Sequence, residues 1–207
     1  PYIAKAYEHW YYTQSCPELK MSGSWLTHIS ALWSRRAPGN TCMSALHTLT
    51  MPGNTPVINS SKGCGGVMRV APIGIFSAAH PAVLDLQHAA YLAGYAADIT
   101  HKHPLSTYSS IALAMIVADC ISQDNIDRDK FWFIVIDRVF KLLGLWFKDD
   151  RHLAELFGLI LKAFRYAISE ESDTDAIRAL GEGWVAEETL AIAIFSVIRY
   201  IDDFGKC

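Results

Sequence analysis

Asn59-Ser60-Ser61-Lys62-Gly63-Cys64-Gly65-Gly66-Val67-Met68-Arg69-Val70-Ala71-Pro72 places three glycines within four residues, a density found nowhere else in the chain. On both sides apolar residues recur at three and four, the spacing of amphipathic helices, so this stretch is a break in a helical chain. Glycine admits positive φ and lets a ligand approach the main chain closely. Successive N–H groups in such a turn form a concave nest that suits an anion, most often a phosphate. Val67 to Ala79 follows as an apolar stretch; as a helix, its first amides and dipole would add to the same pull. No Gly-Lys-Ser/Thr follows Gly66, so this is not a Walker loop. No strand precedes it and no glycine sits three residues beyond Gly65, so it is not a Rossmann fingerprint. A tight helix-to-helix connection without a ligand explains the same glycines equally well at this level.

Working outward, the remaining segments read as helices and punctuated turns. Tyr2 to Tyr12 carries Ile3, Ala6, Tyr7 and Trp10 at helical spacing and should dock a broad aromatic face. Ser15 to Ser24 reads as loop and Trp25 to Trp33 as a short helix. Arg35 to Thr41 is a turn in which Asn40 or Thr41 can cap a helix over Cys42 to Leu49. Met51 to Ser61 is loop, so two turn-rich segments converge on the glycine run, and long loops are where sites are usually placed. Pro81 to Ile99 predicts a helix with proline in its first turn, and Leu105 to Ile121 a buried central helix. Phe131 to Phe147 and Leu153 to Ile168 predict a helical pair, with Ser169 to Asp175 an acidic loop after it. Gly181-Glu182-Gly183-Trp184 is a third glycine turn, and Ala186 to Tyr200 is the last helix, with Glu187 and Glu188 well placed in its first turn. No segment has the alternation or paired turns of hairpins. The expectation is an all-α fold of packed helices with long loops at one end.

The 207 residues suffice for one domain with a sizeable core. A net charge of −3 gives no reason to expect nucleic acid or an anionic membrane as partner. Charged residues or histidine interrupt every apolar run before it reaches the length of a bilayer span, and Pro1 to Trp10 is not a signal peptide. The five cysteines are scattered, form no CxxC pair, and read as free thiols of a reducing cytoplasm.

His101 and His103 flank Lys102 in a polar break. Each has either a ligand contact or a capping role open to it, but at i and i+2 they do not share a helix face. Asp149-Asp150, Asp173-Thr174-Asp175 and Asp202-Asp203 are acidic enough for a hard cation, yet each lies in a turn, where capping or solvated acids are the usual explanation. Arg69, set between Met68 and Val70, should brace the glycine loop through a buried carboxylate, or else meet a phosphate. Cys64 sits inside the nest, with no paired general base to make it a nucleophile.

Five stretches carry a family resemblance: Trp10-Tyr11-Tyr12-Thr13-Gln14; Arg36-Ala37-Pro38-Gly39-Asn40-Thr41; Ser61 through Pro72; Thr100-His101-Lys102-His103-Pro104; and Leu180 through Ala193, with its Gly-Trp-Val-Ala-Glu-Glu core. Together they resemble the ADP-ribosylglycohydrolase family, of the dinitrogenase-reductase-activating glycohydrolase type. The resemblance implies an all-α orthogonal multi-helix bundle, two Mg or Mn ions, and removal of ADP-ribose from a protein side chain or small molecule. It implies that Ser61, Lys62, Gly63, Cys64 and Gly65 line the diphosphate and neighbouring sugar, that His101 reaches the same ligand, and that Trp184 lies against the adenosine end. A metal pair would supply an activated water to a transition state of oxocarbenium character.

The sequence also departs from the family. Its Thr-Asp-Asp-Thr type motif, upstream of the Trp10 stretch, and its Gly-Asp-x-Asp-Ser/Thr type motif, after the last helix, are both absent from this chain. Asp173-Thr174-Asp175 imitates the second by letter but precedes Trp184, so no metal or catalytic residue is assigned. The expectation is one ADP-ribosylglycohydrolase-like domain over residues 1–207, shortened at both ends. The alternative is a non-catalytic ADP-ribose or nucleotide-binding module, or a structural relative.

Overall fold

The computed structural model describes residues 2–17, 21, 23–53 and 55–207. Every regular element among them is helical, and the only β pairing is a single antiparallel bridge between Gly63 and Val185. In chain order the helices are α1 (Tyr2–Ser15), α2 (Asn40–Thr50), α3 (Ala71–Ala79), α4 (Leu86–Asp98) and α5 (Pro104–Ile121). Next comes α6, continuous from Arg128–Phe133 through a π-helical Ile134–Phe140 to Lys141–Trp146. Then follow α7 (Arg151–Ala167), α8 (Asp173–Leu180) and α9 (Ala186–Arg199). The all-α expectation holds.

α5 is the hub, packing against α3, α4, α6, α7 and α9. Alanines at 89, 90, 93, 96 and 97 are buried on α4 and let it lie close to α5. On the other side α7 turns Leu153, Leu156, Ile160, Ala163 and Ala167 inward, a three-four spacing that forms one apolar stripe. Each large aliphatic side chain so buried contributes roughly 1.5–3 kcal/mol. By length and composition α5 is long and apolar enough to cross a bilayer, contrary to the expectation that no run is; 67% of it is buried inside the helix assembly.

Side chains fix the helix starts. Asp85, Asp127 and Asp150 accept from His88, Lys130 and His152 amides at 2.9, 2.8 and 2.8 Å, and Ser172 accepts from Asp175 at 3.2 Å. His103 does the same for α5, its Nδ1 accepting from the Leu105 amide at 3.2 Å. At least one member of each acidic pair is thereby accounted for. Asp150 is a cap, Asp173 pairs with Arg199 and Tyr200, Asp175 with Ser172 and Arg178, and Asp203 with Lys206.

Several local expectations are corrected. Pro81 to Leu84 is a turn, and α4 starts only where the Asp85 carboxylate can cap it. Val67–Arg69 is a single 3₁₀ turn, separate from α3. Trp25 to Trp33 folds as two 3₁₀ turns, Leu26–His28 and Ser30–Leu32. α2 begins at Asn40 with Gly39 as its uncapped N-cap, because the Thr41 hydroxyl bonds Ser61 Oγ at 3.1 Å instead. The acidic loop after α7 ends early, since Ser172 starts α8 inside it. Pro1, part of the Ser15 to Ser24 loop (18–20 and 22) and Asn54 lie outside the described residues.

Candidate functional site

The glycine run is clamped between two elements. On one side it meets the turn before α9: Gly63 bridges Val185, the Cys64 amide donates to the Trp184 carbonyl at 2.9 Å, and the Ala186 amide donates to the Lys62 carbonyl at 2.8 Å. On the other it lies against the start of α5. A Cβ on Gly63 would stand 3.4 Å from His101 Nε2, and one on Gly66 would stand 2.5 Å from Ser106 Oγ. Close approach of neighbouring side chains therefore requires glycine at 66 and crowds position 65, whereas a Cβ at 63 would make only ordinary contact. None of Gly63, Gly65 or Gly66 has positive φ; that conformation occurs at Gly181 and Gly183 in the Trp184 turn. The expected nest is reduced accordingly. The Cys64 amide is used, and the Gly63 amide donates to Ser61 Oγ at 3.3 Å. Among the described residues nothing accepts from the amides of Gly65 and Gly66.

In front of this run is a cleft of about 660 Å³. Gly63, Cys64, Gly65 and Arg69 form one wall, Tyr7 and Trp10 of α1 face the turn at residues 37–42, and His101 and Trp184 complete the lining. Five of the seven residues expected to bind ligand thus share one cavity. Ser61 stands just behind, bonded to Thr41 and to the Gly63 amide. Lys62 is turned the other way. Its ammonium pairs with the buried Glu187 carboxylate, which raises the lysine pKa, and both line a separate recess of about 340 Å³.

Arg69 braces the cleft, though not through a carboxylate. Its Nη2 donates to the Ala96 carbonyl at 2.9 Å and to Thr100 Oγ1, and its guanidinium lies 4.6 Å from the Tyr7 ring centroid. Carbonyls at the end of α4 carry the negative end of the helix dipole, which makes them good partners for a cation. Arg69 Nε is buried without a partner.

His101 is 2% exposed, and burial together with the Arg69 charge lowers its pKa to about 4. It is therefore neutral near pH 7. Its Nδ1 lies 2.8 Å from Thr100 Oγ1, which already accepts from Arg69. The one proton of that hydroxyl is free to reach Nδ1, an arrangement that leaves the ring proton on Nε2, the nitrogen nearest the glycine run. The site thus offers a neutral N–H donor, the unused amide of Gly65 with that of Gly66 behind it, and a half-buried guanidinium, together with aromatic rings. That set suits a phosphate-bearing ligand with a planar base.

Among the described residues no carboxylate lines the cleft. Among the described residues no group of three or more His, Cys, Asp or Glu is placed to hold a metal. The described residues of the cleft do not form a dinuclear centre. Sequence reasoning missed Tyr7, Arg69's bonds to carbonyls and the Lys62–Glu187 pair. The aromatic spacing of α1 was the available signal for the first.

Comparison with known proteins bears on this cleft. The family model described as ADP-ribosylglycohydrolase matches residues 2–207. Over 92 residues the chain is 34% identical to "ADP-ribosyl-[dinitrogen reductase] glycohydrolase" of Rhodospirillum rubrum, covering 42% of this chain and 30% of that protein. The alignment thus spans less than a third of that relative's length. No solved structure matches.

Proposed function

The chain belongs to the ADP-ribosylglycohydrolase family, and on that premise we propose that its cleft holds the ADP-ribose half of an ADP-ribosylated side chain or small molecule. The observation that carries this is the convergence of the Gly63–Gly65 run, Arg69, His101 and Trp184 on one cavity of about 660 Å³. A diphosphate oxygen would take the Gly65 and Gly66 amides and the His101 Nε2 proton. Charge-assisted hydrogen bonds of this kind are the stronger ones, and a buried neutral histidine donates without bringing a charge that itself needs solvation. The exposed Trp184 ring would stack on the adenine. The roles of these residues end at binding: the whole protein's reaction would add water across the glycosidic bond to ribose, and no residue of this cleft is assigned to activate that water.

A second possibility, an ADP-ribose-binding module without turnover, is favoured by one observation: the described residues along the cleft include no carboxylate. Calorimetric titration of the 207-residue chain with ADP-ribose tests the binding claim. Saturable one-to-one heat supports it, and a folded sample giving none overturns it. Release of free ADP-ribose from an ADP-ribosylated arginine compound then separates hydrolase from binding module.

A further inference from the structure

Trp184 is 74% exposed, yet the backbone on either side of it is held by several hydrogen bonds. Glu188 Oε2 accepts from the Glu182 and Gly183 amides, each at 3.1 Å. Thr189 Oγ1 lies 2.8 Å from the Gly183 carbonyl. Gly181 and Gly183 supply φ values of +131° and +75°, and a Cβ on Gly181 would overlap the Glu188 side chain. From behind, the Lys62 ammonium binds Glu187, and the Lys62 carbonyl binds the Ala186 amide. Glu187 and Glu188 thus occupy the first turn of α9, where its dipole favours negative charge. Neither carboxylate lines the 660 Å³ cleft, and Trp184 does. Ion pairs and side-chain bonds of this density are not needed to end a helix; a single cap suffices.

We propose that Glu188, backed by the Lys62–Glu187 pair, is a positioning residue that fixes the Trp184 ring over the cleft, and that it governs affinity for the adenosine end of the ligand. This rests on the ADP-ribose assignment above. Glu188 touches no ligand; it acts through the backbone of residues 182 and 183. A ring held in place before binding loses less entropy when a base stacks on it.

Two measurements test this separately. In the first, the chain carries 5-fluorotryptophan, and the fluorine resonance of Trp184 is identified by its loss in Trp184→Phe. Glu188→Ala is expected to shift or broaden that resonance while the other five tryptophans stay put. Glu188→Gln, which keeps a carbonyl acceptor, restores it. In the second, affinities for ADP-ribose and ribose 5-phosphate are compared. Glu188→Ala and Trp184→Ala each lower the ADP-ribose preference by about tenfold, within the range of one base–aromatic stack. The double variant is no worse than either single, as coupled residues require. Should Glu188→Ala not fold, Thr189→Val carries the same expectations. An unmoved Trp184 resonance, or equal loss for both ligands, overturns the proposal. If the unsubstituted chain binds neither ligand, the ADP-ribose assignment fails, and the fluorine measurement still decides whether Glu188 positions Trp184.

Discussion

Gly65 faces His101 so closely that a Cβ on the glycine would stand 3.0 Å from the imidazole Cε1 and 3.3 Å from Nε2. Cys42 Sγ would be 3.3 Å away on the same side. Any side chain at 65 must displace the histidine or the thiol and also narrow the cleft. We expect Gly65→Val to weaken ADP-ribose binding at least about tenfold, ~1.4 kcal/mol, with Gly65→Ala intermediate. Titration of folded variants checks this, and full affinity in Gly65→Val would contradict it. The cause is contact with His101, since φ at Gly65 is not positive.

His101 gives the fold a pH signature. Its folded pKa of about 4 lies below the ordinary histidine value of 6.5. Between those values the unfolded chain takes up a proton that the folded chain refuses. Stability therefore falls as pH drops from about 6.5 toward about 4, and above 6.5 this group contributes no slope. The loss is at most about 3 kcal/mol, from 1.36 kcal/mol per unit. Urea unfolding at pH 7 and pH 4.5 should show a smaller drop for His101→Gln than for the unsubstituted chain. Equal drops would mean that the imidazole is not held neutral by its surroundings.

Gly74 supplies a control away from the cleft. At the crossing of α3 and α5 its Cβ would overlap the Ala114 carbonyl oxygen and lie 3.1 Å from Val117 Cβ. A backbone atom cannot rotate aside. Gly74→Ala should cost about 1–3 kcal/mol of stability, the usual range for overpacking. Its folded fraction should bind ADP-ribose normally. A thermal melt unchanged from the parent would show that the two helices can separate without cost.

The π-helical stretch of α6 has a consequence of its own. Arg138, within it, reaches Asp119 of α5 at 2.9 Å, and Asp119 Oδ2 is buried without a further partner. Burial raises the Asp119 pKa, opposed by the Arg138 charge. Arg138→Met removes the one cation and should destabilise by roughly 1–3 kcal/mol, the cost of a buried unsatisfied group. Adding Asp119→Leu should recover most of that loss. Chemical denaturation of the single and double variants distinguishes the outcomes, and a double variant as weak as the single would contradict the pairing.

Much of this was legible in the chain because the deciding signals are local. The three-four spacing of Leu153, Leu156 and Ile160 marks α7 without any tertiary information, and the Gly63–Gly66 run marks the break. What was not legible depended on partners distant in sequence. Whether Lys62 points into the cleft or away is decided by Glu187, 125 residues later. Whether Pro81 or Asp85 starts α4 is decided by which one can cap, and proline lacks the side-chain acceptor. The glycines were legible as necessary, but their reason, the His101 ring and Ser106 hydroxyl against them, exists only in the fold. The π-helical turn at Ile134–Phe140 leaves no mark in apolar spacing, because its widened turn shifts the register of one helix face only locally.

Amide resonances of a nitrogen-15-labelled chain titrated with ADP-ribose give the most direct test of the cleft assignment. The account predicts the largest shifts at Gly65 and Gly66, with the Trp184 indole moving in step and α7 and α8 unchanged. Saturable binding that moves residues elsewhere and leaves Gly65 and Gly66 in place would contradict it.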